Sequence, residues 1–101
     1  NNLAELYDEE GRYDEAEPLF KQALEIFRKI YGGNDFRVAS IFFELGALLI
    51  ARIIKEKNPT YCNEARNYLT KARELFLRLN YKDLTEKTDY SLKELDEICP
   101  K

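Results

Sequence analysis

Histidine and methionine are both absent from this chain, and cysteine occurs only twice in its 101 residues. Without histidine the commonest general base and metal ligand are missing, so no Ser–His or Cys–His pair can be built from this chain. Cys62 and Cys99 are too few and too far apart in sequence for a disulfide framework or a zinc site. We expect two free thiols in a reducing cytosol, hence a cytoplasmic protein. A start at Asn1 with no methionine is expected of a fragment or a processed product, and no charged-then-apolar leader is visible. Glycine loops that cradle phosphate are missing too: neither GxxxxGK[ST] nor GxGxxG occurs, and Gly32-Gly33 merely ends a helical pattern.

A clustered basic face is also lacking. Charged residues make up 35% of the chain with a net charge of −3, and Arg12, Lys21, Arg28 and Lys29 are interleaved with acids. That composition gives a soluble surface and no footprint for nucleic acid. The carboxylates Asp8-Glu9-Glu10 sit beside a turn with nothing apolar to raise a pKa, so general acid–base work is not expected of them. The chain reads as non-catalytic and without a cofactor or metal; only turnover that requires these carboxylates would make it an enzyme.

What is present is helical. Nothing alternates with period two for long enough to be a strand, while apolar spacings of three and four recur in five stretches. The first runs from Asn1 to about Glu10, with Leu3, Leu6 and Tyr7 on one side. Gly11 ends it by taking a positive φ. Asp14 is expected to cap the second helix, and Pro18 to fall in its first turn, where few intrahelical bonds are at stake. Ala16, Phe20, Ala23, Leu24 and Phe27 form its stripe, and Gly32-Gly33-Asn34-Asp35 stops it. The third pattern, about Val38 to Lys57, is the most apolar and ends at Asn58-Pro59-Thr60. It carries Glu44 and Arg52, whereas a membrane span needs about 20 residues nearly free of charge, so a core helix is expected. The fourth, about Cys62 to Leu79, repeats the stripe with Ala65, Leu69, Ala72 and Phe76. The last, about Leu84 to Cys99, places Leu84, Thr88, Ser91, Leu92 and Leu95 on one face.

The patterns repeat. "NLAELY" aligns with "ELGALL" at an offset of 42 residues, Leu3 on Leu45 and Ala4 on Gly46. "YDEAEPLFKQALEIF" aligns with "CNEARNYLTKARELF" at an offset of 49, Ala16 on Ala65, Phe20 on Leu69, Ala23 on Ala72 and Phe27 on Phe76. The second unit thus gains two helical turns near the end of its first helix. Small residues stand where paired helices approach closely, and large ones where the next pair is met. One such pair cannot bury its faces alone, which favours stacking.

"NLAELYDEEGRYDEAEPLFKQALEIF" resembles the tetratricopeptide repeat, through Leu3, Ala4, Tyr7, Gly11, Tyr13, Ala16, Phe20 and Ala23. "EAEPL" and the 42-residue period are similar to the kinesin light chain subtype. The second unit departs from the pattern, with an insertion at the turn and Cys62 in place of Tyr13. The resemblance implies an all-α fold, a right-handed α-α superhelix of antiparallel pairs with about five helices. Its units would be 1–34, 35–82 with the insertion, and a capping or third-repeat helix over 83–101, within a longer array.

The resemblance further implies a concave groove lined by the first helix of each pair. Its positions fall on Asn2, Glu5, Asp8 and Glu9 in the first unit, and on Ser40, Phe43, Glu44, Ala47, Ile50, Ala51 and Ile54 in the second. Asn2 stands where the family often holds a backbone-gripping asparagine. The basic residues of a carboxylate clamp, or of a groove for acidic cargo peptides, are absent there. A partner is therefore expected to be a protein or peptide with an apolar or basic segment, taken up by Phe43, Ala47, Ile50 and Ile54. The same patch could instead pack against a neighbouring repeat or the chain's own C-terminal helix. A scaffold or adaptor role leads; a spacer or self-associating segment of a larger signalling protein is the alternative.

Overall fold

The computed structural model describes Leu6 and residues 8–99, and among them four α-helices and one 3-10 turn. Most of the stretch from Asn1 to Tyr7 lies outside the described residues, including Asn2, Leu3, Ala4 and Glu5. Leu6, Asp8 and Glu9 are helical, and the Glu10 N–H donates to the Leu6 carbonyl at 3.1 Å. Gly11 then turns the chain at φ 75, as its position predicts.

Helix α1 spans Tyr13–Tyr31. It begins one residue before the expected cap, so Asp14 lies inside the first turn; the capping position is Arg12, whose side chain makes no cap hydrogen bond. Arg12 instead pairs with the Glu15 carboxylate. Pro18 is correspondingly the sixth residue of the helix and not part of its first turn. It withholds one N–H from the Asp14 carbonyl, a loss tolerated on an exposed face. Gly32 closes α1, donating to the Arg28 carbonyl at 3.0 Å with φ 84.

Helix α2 spans Phe36–Glu56 and starts two residues earlier than its apolar pattern suggests. The cause is Asp35, whose carboxylate accepts from the Arg37 N–H at 2.8 Å and caps the helix. After Lys57 in the left-handed region, Asn58 accepts from the Thr60 N–H and opens the 3-10 turn Pro59–Tyr61. Helix α3, Cys62–Arg78, follows directly. It ends in a tight turn in which Asn80 takes φ 65 and the Tyr81 N–H reaches back to the Phe76 carbonyl at 2.9 Å. Helix α4 is Lys82–Ile98.

The short turns set successive helices antiparallel, and α2 lies at the centre. It packs against α3 along most of its length, carries α1 on another side and touches α4. Leu45, Leu48, Leu49, Val38 and Ala39 are fully buried in it, which explains its hydrophobicity. Gly46 lets α3 come close: a Cβ there would meet Leu69 Cγ at 2.5 Å. Ala16, Ala65 and Ala72 are likewise fully buried. No helix among the described residues is long and apolar enough to cross a membrane.

The cysteines correct the expectation of free thiols. Cys62 and Cys99 are joined in a disulfide, with Cα atoms 6.1 Å apart across 37 residues of sequence. Antiparallel packing is the reason: α4 runs back along α3 and brings its far end beside the first residue of α3.

Candidate functional site

Ser40, Phe43, Glu44, Ala47, Ala51 and Ile54 fall on one stripe of α2, since steps of three and four return to the same side of a helix. The first five are half-buried and Ile54 is 51% exposed. Between Val38 and Ala51 every residue of α2 off this stripe is buried. Glu9 is exposed at the end of the preceding helical turn and Asp8 is half-buried there. Asn2 and Glu5 lie outside the described residues, so their relation to the stripe is not part of this site.

Ile50 does not belong to the accessible patch. It is 5% exposed and sits in the core. On a regular helix it lies about 60° round from Ala47, enough to carry it under the neighbouring helix. Helix α4 reaches the stripe at Phe43. Its Lys87 places the ammonium group 5.3 Å from the centre of the Phe43 ring, a cation–π contact. The C-terminal helix therefore meets the patch at Phe43, while Ala47 and Ile54 keep surface. Lys87 borders the stripe, and pattern reading missed it because its approach to Phe43 depends on how α4 is docked.

The far end of α2 is fixed by Arg52, whose side chain is only 12% exposed. It donates to Asp14 at 2.5 Å and to Glu17 at 3.5 Å on α1, and to Glu56 at 3.1 Å on its own helix, and lies over the Tyr61 ring. Burial works to lower the Arg52 pKa, but the hydrogen bond and charge of Asp14, with Glu56 and Tyr61, outweigh it and leave the guanidinium with a raised pKa. This cluster orients α1 on α2. Among the described residues no group of three or more acidic or cysteine side chains is placed to hold a metal ion.

Paired helices with small residues at their crossings, a turn glycine after the first helical stretch and a partly exposed stripe on the first helix of the second pair are the features a repeat family would leave here. No curated protein and no solved structure matches the chain. A tetratricopeptide repeat family model matches residues 1–52, which cover the first unit and α2 to Arg52. Domains of that family are typically non-catalytic modules for protein–protein interaction. The chain belongs to the tetratricopeptide repeat family.

Proposed function

We propose that the chain is a scaffold or adaptor module that takes a partner peptide or helix along the α2 stripe. The observation that carries this is the stripe itself. Phe43, Ala47 and Ile54 present apolar surface beside Glu44 on the most deeply buried helix of the fold, where a ligand meets a rigid backbone. The apolar residues and Glu44 suit an apolar or basic segment. In a right-handed superhelix of the kinesin light chain type this stripe would line the concave face, within a longer array. The compartment is a separate matter. A cytoplasmic placement rested on free thiols, and the Cys62–Cys99 bridge favours an oxidising compartment instead.

The test uses a fluorescent amphipathic peptide of leucine and lysine and the variants Phe43→Asp and Ile54→Asp. Ile50 is avoided because a charge there would disrupt the core. Saturable binding to the parent chain, lost in both variants with helicity unchanged, supports the groove. Binding that survives both substitutions refutes it. A second reading, a self-associating spacer, is favoured by Ile26 and Ile30, which are 52% and 63% exposed on α1. A concentration-dependent dimer in sedimentation, abolished by Ile26→Glu with Ile30→Glu, would establish that reading.

A further inference from the structure

Among the described α-helices, α4 buries the fewest apolar side chains. Thr85, Thr88 and Leu95 are its buried residues, while Leu84, Leu92 and Ile98 pack on the core half-buried. The Thr85 and Thr88 hydroxyls donate to the Tyr81 and Leu84 carbonyls at 2.9 and 2.7 Å, so each hydroxyl proton is used within its own helix and its capping residue. The pairs Arg66–Asp96 and Arg73–Asp89 join side chains that are 39–50% exposed, and surface pairs of this kind contribute little. What holds α4 down more firmly is the bridge from Cys62 to Cys99.

Cys62, Arg66, Leu69, Arg73 and Phe76 follow one another at steps of four and three, and so share one side of α3. Three of them reach α4 by the bridge or an ion pair, which turns that side towards it. On α2 the same helix touches the stripe at Phe43, through the Lys87 ammonium group. A cation on that ring is what a basic partner segment would place there. Helix α4 thus occupies, with its own lysine, part of the surface assigned to the partner. The bridge lies where it can be cut without dismantling the core: Cys62 opens α3, and Cys99 sits just past the end of α4 in extended backbone. Both cysteines are covered, so a reductant reaches the sulfurs when the last turn of α4 frays.

We propose that the Cys62–Cys99 bridge is a redox latch: oxidised, it keeps Lys87 on Phe43, and its reduction by a dithiol releases α4 and clears the α2 stripe for a basic partner segment. This rests on the α2 stripe being the partner site. One thiolate of the dithiol attacks a bridge sulfur, the bond between the two cysteines breaks and a mixed disulfide forms; the second thiol then displaces the protein sulfur. The products are two cysteine thiols and the disulfide form of the dithiol, which supplies both electrons and both protons. Cutting a bridge that closes 37 residues returns chain entropy to the open form, and this shifts α4 towards release.

The experiment follows hydrogen exchange by mass spectrometry in the oxidised chain, in the chain with dithiothreitol, and in Cys62→Ser with Cys99→Ser. The fluorescent leucine–lysine peptide is titrated into each. In the oxidised chain α4 and α3 amides should exchange comparably. In the reduced chain and the double variant, α4 should exchange at least about tenfold faster than α3 in the same sample. Peptide affinity should rise about tenfold on reduction and part of the way in oxidised Lys87→Ala, and the double variant should ignore dithiothreitol. Equal acceleration of all four helices, loss of helicity on reduction, or unchanged α4 exchange overturns the latch. Release of α4 with the peptide affinity unchanged overturns its control of the stripe. Release of α4 with no peptide binding in any state refutes the α2 stripe as the partner site and still supports the latch.

Discussion

At Gly46 one missing methyl group sets the distance between two helices. A Cβ there would stand 2.5 Å from Leu69 Cγ and 2.6 Å from Cδ2, and Cγ is a branch point with little room to retreat. Gly46→Ala would gain about 1 kcal/mol of helix propensity. Overpacking against a fully buried leucine costs about 1–3 kcal/mol, so a net loss of stability is expected in urea denaturation. Leu69→Ala in the same chain should recover part of the Gly46→Ala loss, a coupling that a double-mutant cycle reads directly. The alkaline limb is also decided by single residues. Burial pushes the Tyr68 hydroxyl above its ordinary 10.0, and the Glu17 hydrogen bond lifts Lys21 above 10.5. In both cases the folded state holds its proton longer than the unfolded one. Their contribution is therefore complete below those values and lost as pH rises through the folded pKa. Unfolding free energy measured against pH should fall above about pH 10, and Tyr68→Phe should flatten that fall.

Among the elements, α4 depends most on a covalent link. The bridge from the first residue of α3 to Cys99 closes a loop of 37 residues, which in the chain-entropy account is worth about 4 kcal/mol. Reduction, or Cys62→Ala with Cys99→Ala, should lower stability by that order in denaturant melts; an unchanged midpoint would place the stabilisation in helix packing alone. Helices themselves were legible from apolar spacing: α1, α2, α3 and α4 stand within two residues of the stretches read from sequence. Their ends were less so. Tyr13 and Phe36 start helices early because the local turns at Gly11 and Asp35, not the apolar stripe, fix the first turn. The cysteine pair was illegible because sequence separation says nothing of proximity once two helices run antiparallel. Ile50 was misplaced for a related reason: periodicity gives its angle on α2, but only the docking of the neighbouring helices decides that this angle is covered.

Across the whole molecule, cohesion is uneven. Helices α2 and α3 share the Gly46 crossing, and α4 is tied to α3 by the disulfide together with the Arg66–Asp96 and Arg73–Asp89 pairs. Among the described residues helix α1 rests chiefly on α2, through Ala16, Phe20 and the Arg52 cluster, with Lys21 reaching Glu64 of α3, while Ile26 and Ile30 are exposed. In a stacked repeat each unit is stabilised by its neighbours, so the helix held by the fewest of these contacts opens first. Native-state hydrogen exchange should therefore find α1 amides exchanging faster than those of α2 and α3 by at least about tenfold. Arg52→Ala sharpens the test. It removes hydrogen bonds to charged groups worth about 2 kcal/mol and leaves Glu17, itself largely buried, without its guanidinium partner. The expected result is faster exchange in α1 with little change in α3 and α4. Uniform acceleration across all four helices would mean that the chain opens as one cooperative unit, with Arg52 contributing to global stability and not to the docking of α1.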